Sequence, residues 1–164
     1  MQGQTLERLF AGRNIDLGAL HERMQTLMTA EGLDYNRRTH TYNSRLAQEL
    51  GKWALTRKDG LKLHNALYRT YFVDGRNLAD LEELVKQADA AGLPANEARS
   101  VLVERQYRQA VDDDWAYANR LGIQGVPTFV MKSTCIVGAQ PYETLRDFAL
   151  AQGAKPRREK ETPP

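Results

Sequence analysis

Apolar residues recur along most of this chain at intervals of three and four, the spacing that lines one face of an α-helix. The first such stretch runs from about Asp16 to Glu31, with Leu20, Met24, Leu27 and Met28 on one face. Asp16 can cap its start, and Gly32 suits the position just past its end. A second helix is predicted from Ser44, with Asn43 or Ser44 as cap, burying Leu46, Leu50, Trp53 and Ala54 until Asp59-Gly60 breaks it. A third, Leu61 to Phe72, puts Leu63, His64, Leu67, Tyr68 and Tyr71 on one side. After the Asp74-Gly75 turn, Asn77 can cap a fourth helix whose face is Leu81, Leu84, Val85 and Ala88; Gly92 ends it and Pro94 starts the next. Two more helices are predicted, Asn96 to Val103 and Gln106 to Leu121, the latter with Tyr107, Val111, Trp115 and Ala118 along one stripe.

The period changes at Gly122. Gly125 to Met131 reads as a strand entered through a proline, Lys132-Ser133-Thr134 as a turn, and Cys135 to Val137 as a second strand, so the pair predicts a hairpin. Gln140-Pro141 opens a last helix with Leu145, Phe148 and Ala149 as its apolar face; proline fits a first helical turn. The charged, proline-containing tail from residue 154 to 164 reads as disordered. The pattern therefore predicts a mostly α chain with one β-hairpin. Two strands alone leave edges and a face uncovered. Either the helices surround the hairpin, or it is the exposed half of a larger sheet.

Composition narrows the class. The length of 164 residues suits one domain with a real core. A net charge of +2 with acids and bases interspersed lacks the basic stripe of a nucleic-acid binder. The single cysteine, Cys135, cannot form an internal disulfide. No signal peptide and no membrane-spanning run is seen, so the expected location is cytoplasmic.

Candidate chemistry is sparse. His21, His40 and His64 show no metal-ligand spacing, and His64, on an apolar face, reads as a satisfied core histidine. Asp112-Asp113-Asp114 point in different directions on a helix and read as a solvated face. Cys135, alone on a strand and without a cluster of cations, reads as a small buried hydrophobe rather than a nucleophile. No metal site and no catalytic residue is assigned.

The segment Leu121-Gly122-Ile123-Gln124-Gly125-Val126-Pro127-Thr128-Phe129-Val130 resembles the loop and strand of thioredoxin-fold proteins that carry a cis-proline opposite the active site. Ile136-Val137-Gly138-Ala139-Gln140-Pro141-Tyr142 is similar to the DsbA family in its FrnE-like branch, which is related to 2-hydroxychromene-2-carboxylate isomerases. Arg38 to Ala47, Tyr71 to Leu78 and Asn96 to Arg99 continue the resemblance in order, over roughly Leu6 to Ala151. It implies an α/β thioredoxin-like (DsbA-type) fold with a large helical insertion. The expected organisation is a linker and short helix over 1–15, the inserted helical domain over 16–120, the C-terminal part of the thioredoxin fold over 121–153, and the tail.

The family's activity is thiol–disulfide exchange at a Cys-x-x-Cys that opens a helix between two N-terminal strands. No position here takes that dithiol, and Met1 falls where the family has the linker after the second strand, so a truncated, inactive version is expected. The resemblance implies substrate binding by Gly125, Val126 and Pro127, where the backbone before the proline pairs with an extended polypeptide or thiol substrate. Asn43, with Ser44, is a candidate ligand contact by analogy with the isomerases, and equally a helix cap. Three functions stay open: an oxidoreductase seen in part, a non-catalytic module that pairs with a peptide, a partner or a second copy, and a relative of the glutathione-dependent isomerases, for which glutathione is a candidate ligand. A gene product without activity is a further reading. Neither nucleic acid nor membrane is expected as a partner.

Overall fold

The computed structural model describes residues 3–156. The expected tail beyond residue 156 lies outside the described residues. The chain divides into two compact units, Met1–Asp113 and Asp114–Pro164.

The first unit is a helical bundle. Helix α1 spans Leu6–Leu9, α2 Leu17–Ala30, α3 Arg45–Ala54, α4 Leu61–Phe72, α5 Leu81–Ala90 and α6 Ala95–Val103; α7, Arg108–Arg120, begins in this unit. Helix α3 packs on α4, α5 and α6, and α5 packs on α4 and α6. The core they share includes Leu50, Trp53, Ala54, Leu63, Leu67, Leu84, Ala88, Ala98 and Leu102. These are the positions that the three-and-four spacing places on inward faces. The α3–α4 corner is tight: a Cβ on Gly60 would come within 1.8 Å of the Ala54 carbonyl oxygen, so only glycine fits.

Several local expectations are corrected in this unit. Asp80, not Asn77, caps α5: its Oδ1 accepts from the backbone N–H groups of Glu82 (2.9 Å) and Glu83 (3.2 Å). Asn77 instead closes a turn by accepting from the Ala79 N–H at 2.8 Å. Both residues have the short acceptor that capping needs, and which one caps depends on where the helix begins. Tyr68 is exposed and stacks on Phe72 rather than entering the core. His64 is half-buried, and its Nε2 is shielded with no hydrogen-bond partner, so it is not the satisfied core histidine expected. The stripe of α2 buries no residue. Asp16 does cap this helix, accepting from Gly18 and Ala19.

A second small sheet joins the predicted hairpin. β1 (Gln4–Thr5) pairs antiparallel with β2 (His40–Thr41), Gln4 opposite Thr41 and Thr5 opposite His40. The expectation of one hairpin is therefore short by one sheet. Two-residue strands carry no alternation, and their pairing spans more than thirty positions, so no local pattern announces them.

The second unit holds the rest of α7, a hairpin of β3 (Thr128–Met131) and β4 (Thr134–Val137), and α8 (Tyr142–Ala151). Val130 lies opposite Cys135 and Phe129 opposite Ile136. Thr134 belongs to the strand, leaving Lys132-Ser133 as the turn, with Lys132 in the left-handed region at φ 53°. No described residue after Asp113 is buried.

Candidate functional site

The loop before β3 is built by short-range forces. Gly122, at φ 69°, ends α7 in the left-handed conformation, and the chain then bends through residues 125–127 into β3. Thr128 Oγ1 donates to the Gly125 carbonyl at 2.6 Å, and the Gly138 N–H donates to the Pro127 carbonyl at 2.8 Å. These two bonds pin the loop across the hairpin. The Val126–Pro127 peptide bond is cis. Val126 is 90% exposed, and its backbone bonds no described residue. A Cβ on Gly125 would sit 3.6 Å from Val137 Cγ1, an ordinary contact, so space alone does not demand glycine there.

Beside this loop lies an open cleft of about 440 Å³. Its walls are residues 121–125 of the loop, Thr128, Val130, Cys135 and Val137 from one face of the hairpin, and Lys132, Ser133 and Thr134 at the hairpin's turn. The antiparallel register puts Cys135 on that face with Val130 and Val137, and its thiol is exposed. The expectation of a buried Cys135 is thus corrected: strand alternation assigns a residue to a face, but only the packing decides whether the face is covered.

Gly125, Val126 and Pro127 share this one loop. Asn43 belongs to the first unit. Its Oδ1 accepts from the Arg45 N–H at 2.9 Å, while Ser44, at the cap position of α3, makes no side-chain capping bond. Asn43 therefore ties down the start of α3, and its own amide donors bond no described residue.

The most elaborate polar arrangement in the first unit went unread in the sequence. Glu49, with 0% exposure, lies on α3. Its carboxylate accepts from Arg105 Nε at 2.7 Å, from an Arg105 terminal nitrogen at 2.6 Å and from Arg45 Nε at 2.9 Å. Arg45 also donates to Asp112 at 2.7 Å and to the Arg108 carbonyl at 2.8 Å. Asp112 is thus an ion-pair partner rather than part of a purely solvated acidic face. The Arg105 guanidinium holds the Glu49 carboxyl below its ordinary range; burial opposes this and Arg45 adds to it. The one sequence signal was Arg45 and Glu49 four apart on a helix. A second polar pair joins α2 to the chain after it: His21 Nδ1 lies 2.9 Å from the Tyr35 hydroxyl. Burial, then Arg37 and Arg38, push the His21 pKa down. Among the described residues no three His, Cys, Asp or Glu side chains cluster as metal ligands, and no helix is long and apolar enough to cross a membrane.

A helical bundle set before a proline-led hairpin and a closing helix defines a thioredoxin-fold protein of the helix-inserted type. The chain belongs to the DSBA-like thioredoxin domain family, whose profile matches residues 9–149. It is 31% identical over 104 residues to the uncharacterized protein YwbO of Bacillus subtilis (strain 168), a match covering 61% of this chain and 50% of that one. The chain thus spans about half the length of this relative. Its fold is also that of a "putative protein disulfide isomerase from Nitrosomonas europaea", with a TM-score of 0.65 at 16% identity, covering 94% of this chain and 79% of that chain. At that identity the likeness is one of fold.

Proposed function

We propose that this chain serves thiol–disulfide chemistry by binding extended, thiol-bearing polypeptides along the backbone of Gly125, Val126 and Pro127. The observation that carries this reading is the exposed Val126, whose main chain has no partner among the described residues. A free backbone segment beside an open cleft of mixed apolar and polar lining suits an added strand: main-chain hydrogen bonds hold the peptide, and the cleft takes alternate side chains. The 164 residues contain one cysteine, so they hold no pair that could cycle between dithiol and disulfide. In this reading Cys135 is not catalytic, and dithiol exchange requires thiols from elsewhere.

The test is binding of a labelled, unstructured, cysteine-containing peptide, followed by fluorescence anisotropy. Val126→Pro removes the Val126 N–H donor and weakens binding by about tenfold, the worth of one well-made hydrogen bond. Val126→Ala keeps the main chain and stays near the wild type. Absence of binding, or equal effects of the two changes, would sink the proposal.

A second reading, a non-catalytic module that pairs with another chain or a second copy, draws on the lack of buried residues among those described after Asp113 and on the open edges of the hairpin. Sedimentation at increasing protein concentration separates the two: a dimer at all concentrations favours pairing, and a monomer that binds peptide favours the first reading.

A further inference from the structure

Two residues of the first unit violate local rules, and each makes sense only with the other. Glu49 is a carboxylate with 0% exposure on a helix whose neighbours are core. A well-packed apolar residue there would hold α3 at least as well, because ion-pair formation seldom repays the loss of water around a charge. Arg105 occupies the turn between α6 and α7 at φ 54°, a left-handed conformation in which glycine is the low-cost residue. What glycine lacks is the guanidinium, and Arg105 uses it in two bonds to Glu49 at 2.7 and 2.6 Å. Locally unfavourable choices that satisfy one another mark a place where a particular geometry is being enforced.

That geometry reaches two segments. The Glu49 carboxylate also holds Arg45, whose guanidinium bonds Asp112 and the Arg108 carbonyl in the first turns of α7. The backbone N–H of the same Arg45 donates to Asn43 Oδ1. We propose that Glu49 is a buried lock that couples the Asn43–Arg45 corner to the start of α7, so that the two segments are held, or released, together. The lock thereby also holds the Asn43 side chain that ties down the start of α3.

Among the described residues the charged groups bonded to the Glu49 carboxylate are both cations: Arg45 from its own helix and Arg105 from the turn after α6. Asp112, with Arg108 beside it at 3.9 Å, faces Arg45. The lock therefore stays closed near neutral pH.

Arg105→Gly is the discriminating variant, because backbone conformation alone makes it neutral or stabilising, whereas the lock makes it loosening. Amide hydrogen exchange on the full chain, resolved by residue, reads the outcome. Arg105→Gly and Glu49→Gln are expected to speed exchange by about tenfold or more at Arg45, Gln48, Arg108 and Val111 together, with a smaller acceleration at Leu84 and Val85 on α5, which report the stability of the whole unit. Wild-type rates at both segments in Arg105→Gly would overturn the lock. So would an equal acceleration at Leu84 and Val85, which would make the cluster an undifferentiated part of global stability.

Discussion

The two units of this chain handle their apolar residues in opposite ways. In the first, α3 to α6 turn their stripes toward one another, and Leu50, Trp53, Leu63, Leu84 and Leu102 lose essentially all contact with water. In the second, β3, β4 and α8 are patterned as clearly, yet Phe129, Val130, Val137 and Leu150 keep about two-fifths or more of their surface exposed. The difference follows from topology. Sequential helices joined by short corners find partners nearby, as the Gly60 corner shows. A two-stranded sheet has two faces and two edges, more than one helix can cover. Amphipathic patterning states that a face is meant to be covered; it does not supply the cover.

The sharpest way to break this comparison is a pair of truncations. Trp53→Ala, at 1% exposure, is expected to cost about 3–5 kcal/mol in equilibrium denaturation. Phe129→Ala, at 39% exposure, should cost less, about 1–2 kcal/mol, since two-fifths of its surface stays in water on folding. Equal costs would mean that the hairpin face is covered in solution, by a second copy or another chain.

Acid should distinguish the units next. Glu49 titrates below its ordinary 4.5 because Arg105 and Arg45 hold the carboxylate. The unfolded chain therefore binds this proton more readily, so the contribution of Glu49 is full above about pH 4.5 and is lost as pH falls through the depressed value. His21, depressed below 6.5 by burial and by Arg37 and Arg38, adds a smaller loss of the same sign, beginning as pH drops through 6.5. Both groups lie in the first unit. Melting followed by fluorescence from pH 7 to 3, with Trp115→Phe leaving Trp53 as reporter, should show a falling midpoint that Glu49→Gln flattens. A midpoint independent of pH would show that the buried pair contributes no pH-dependent stability.

The smallest effect is expected at Cys135. With its thiol exposed, Cys135→Ser should change stability by no more than about 0.5 kcal/mol, and a thiol reagent should modify the native protein at nearly the rate of the unfolded chain. Slow labelling would mean that something covers this strand face.

Much of the fold was legible in the residues themselves, because it rests on short-range rules. The α4 bounds, Leu61 to Phe72, follow from apolar spacing and the preceding Asp59-Gly60. The Asp16 cap and the hairpin after Pro127 follow from side-chain acceptors and strand alternation. The family too could be read from spaced local motifs. What only the tertiary structure decided joins residues far apart in sequence. The pairing of Gln4 with Thr41 leaves no periodic trace, and the bonds from Glu49 to Arg105 and from Arg45 to Asp112 link positions 56 and 67 apart. The exposure of Cys135 is of the same kind: its strand and its face were set by a period of two, but whether water reaches that face depends on what else the chain brings against it. Spacing along the chain determines which way a side chain points. Its surroundings are determined by the whole set of packed elements, and for a buried charge or an open strand those surroundings govern the chemistry.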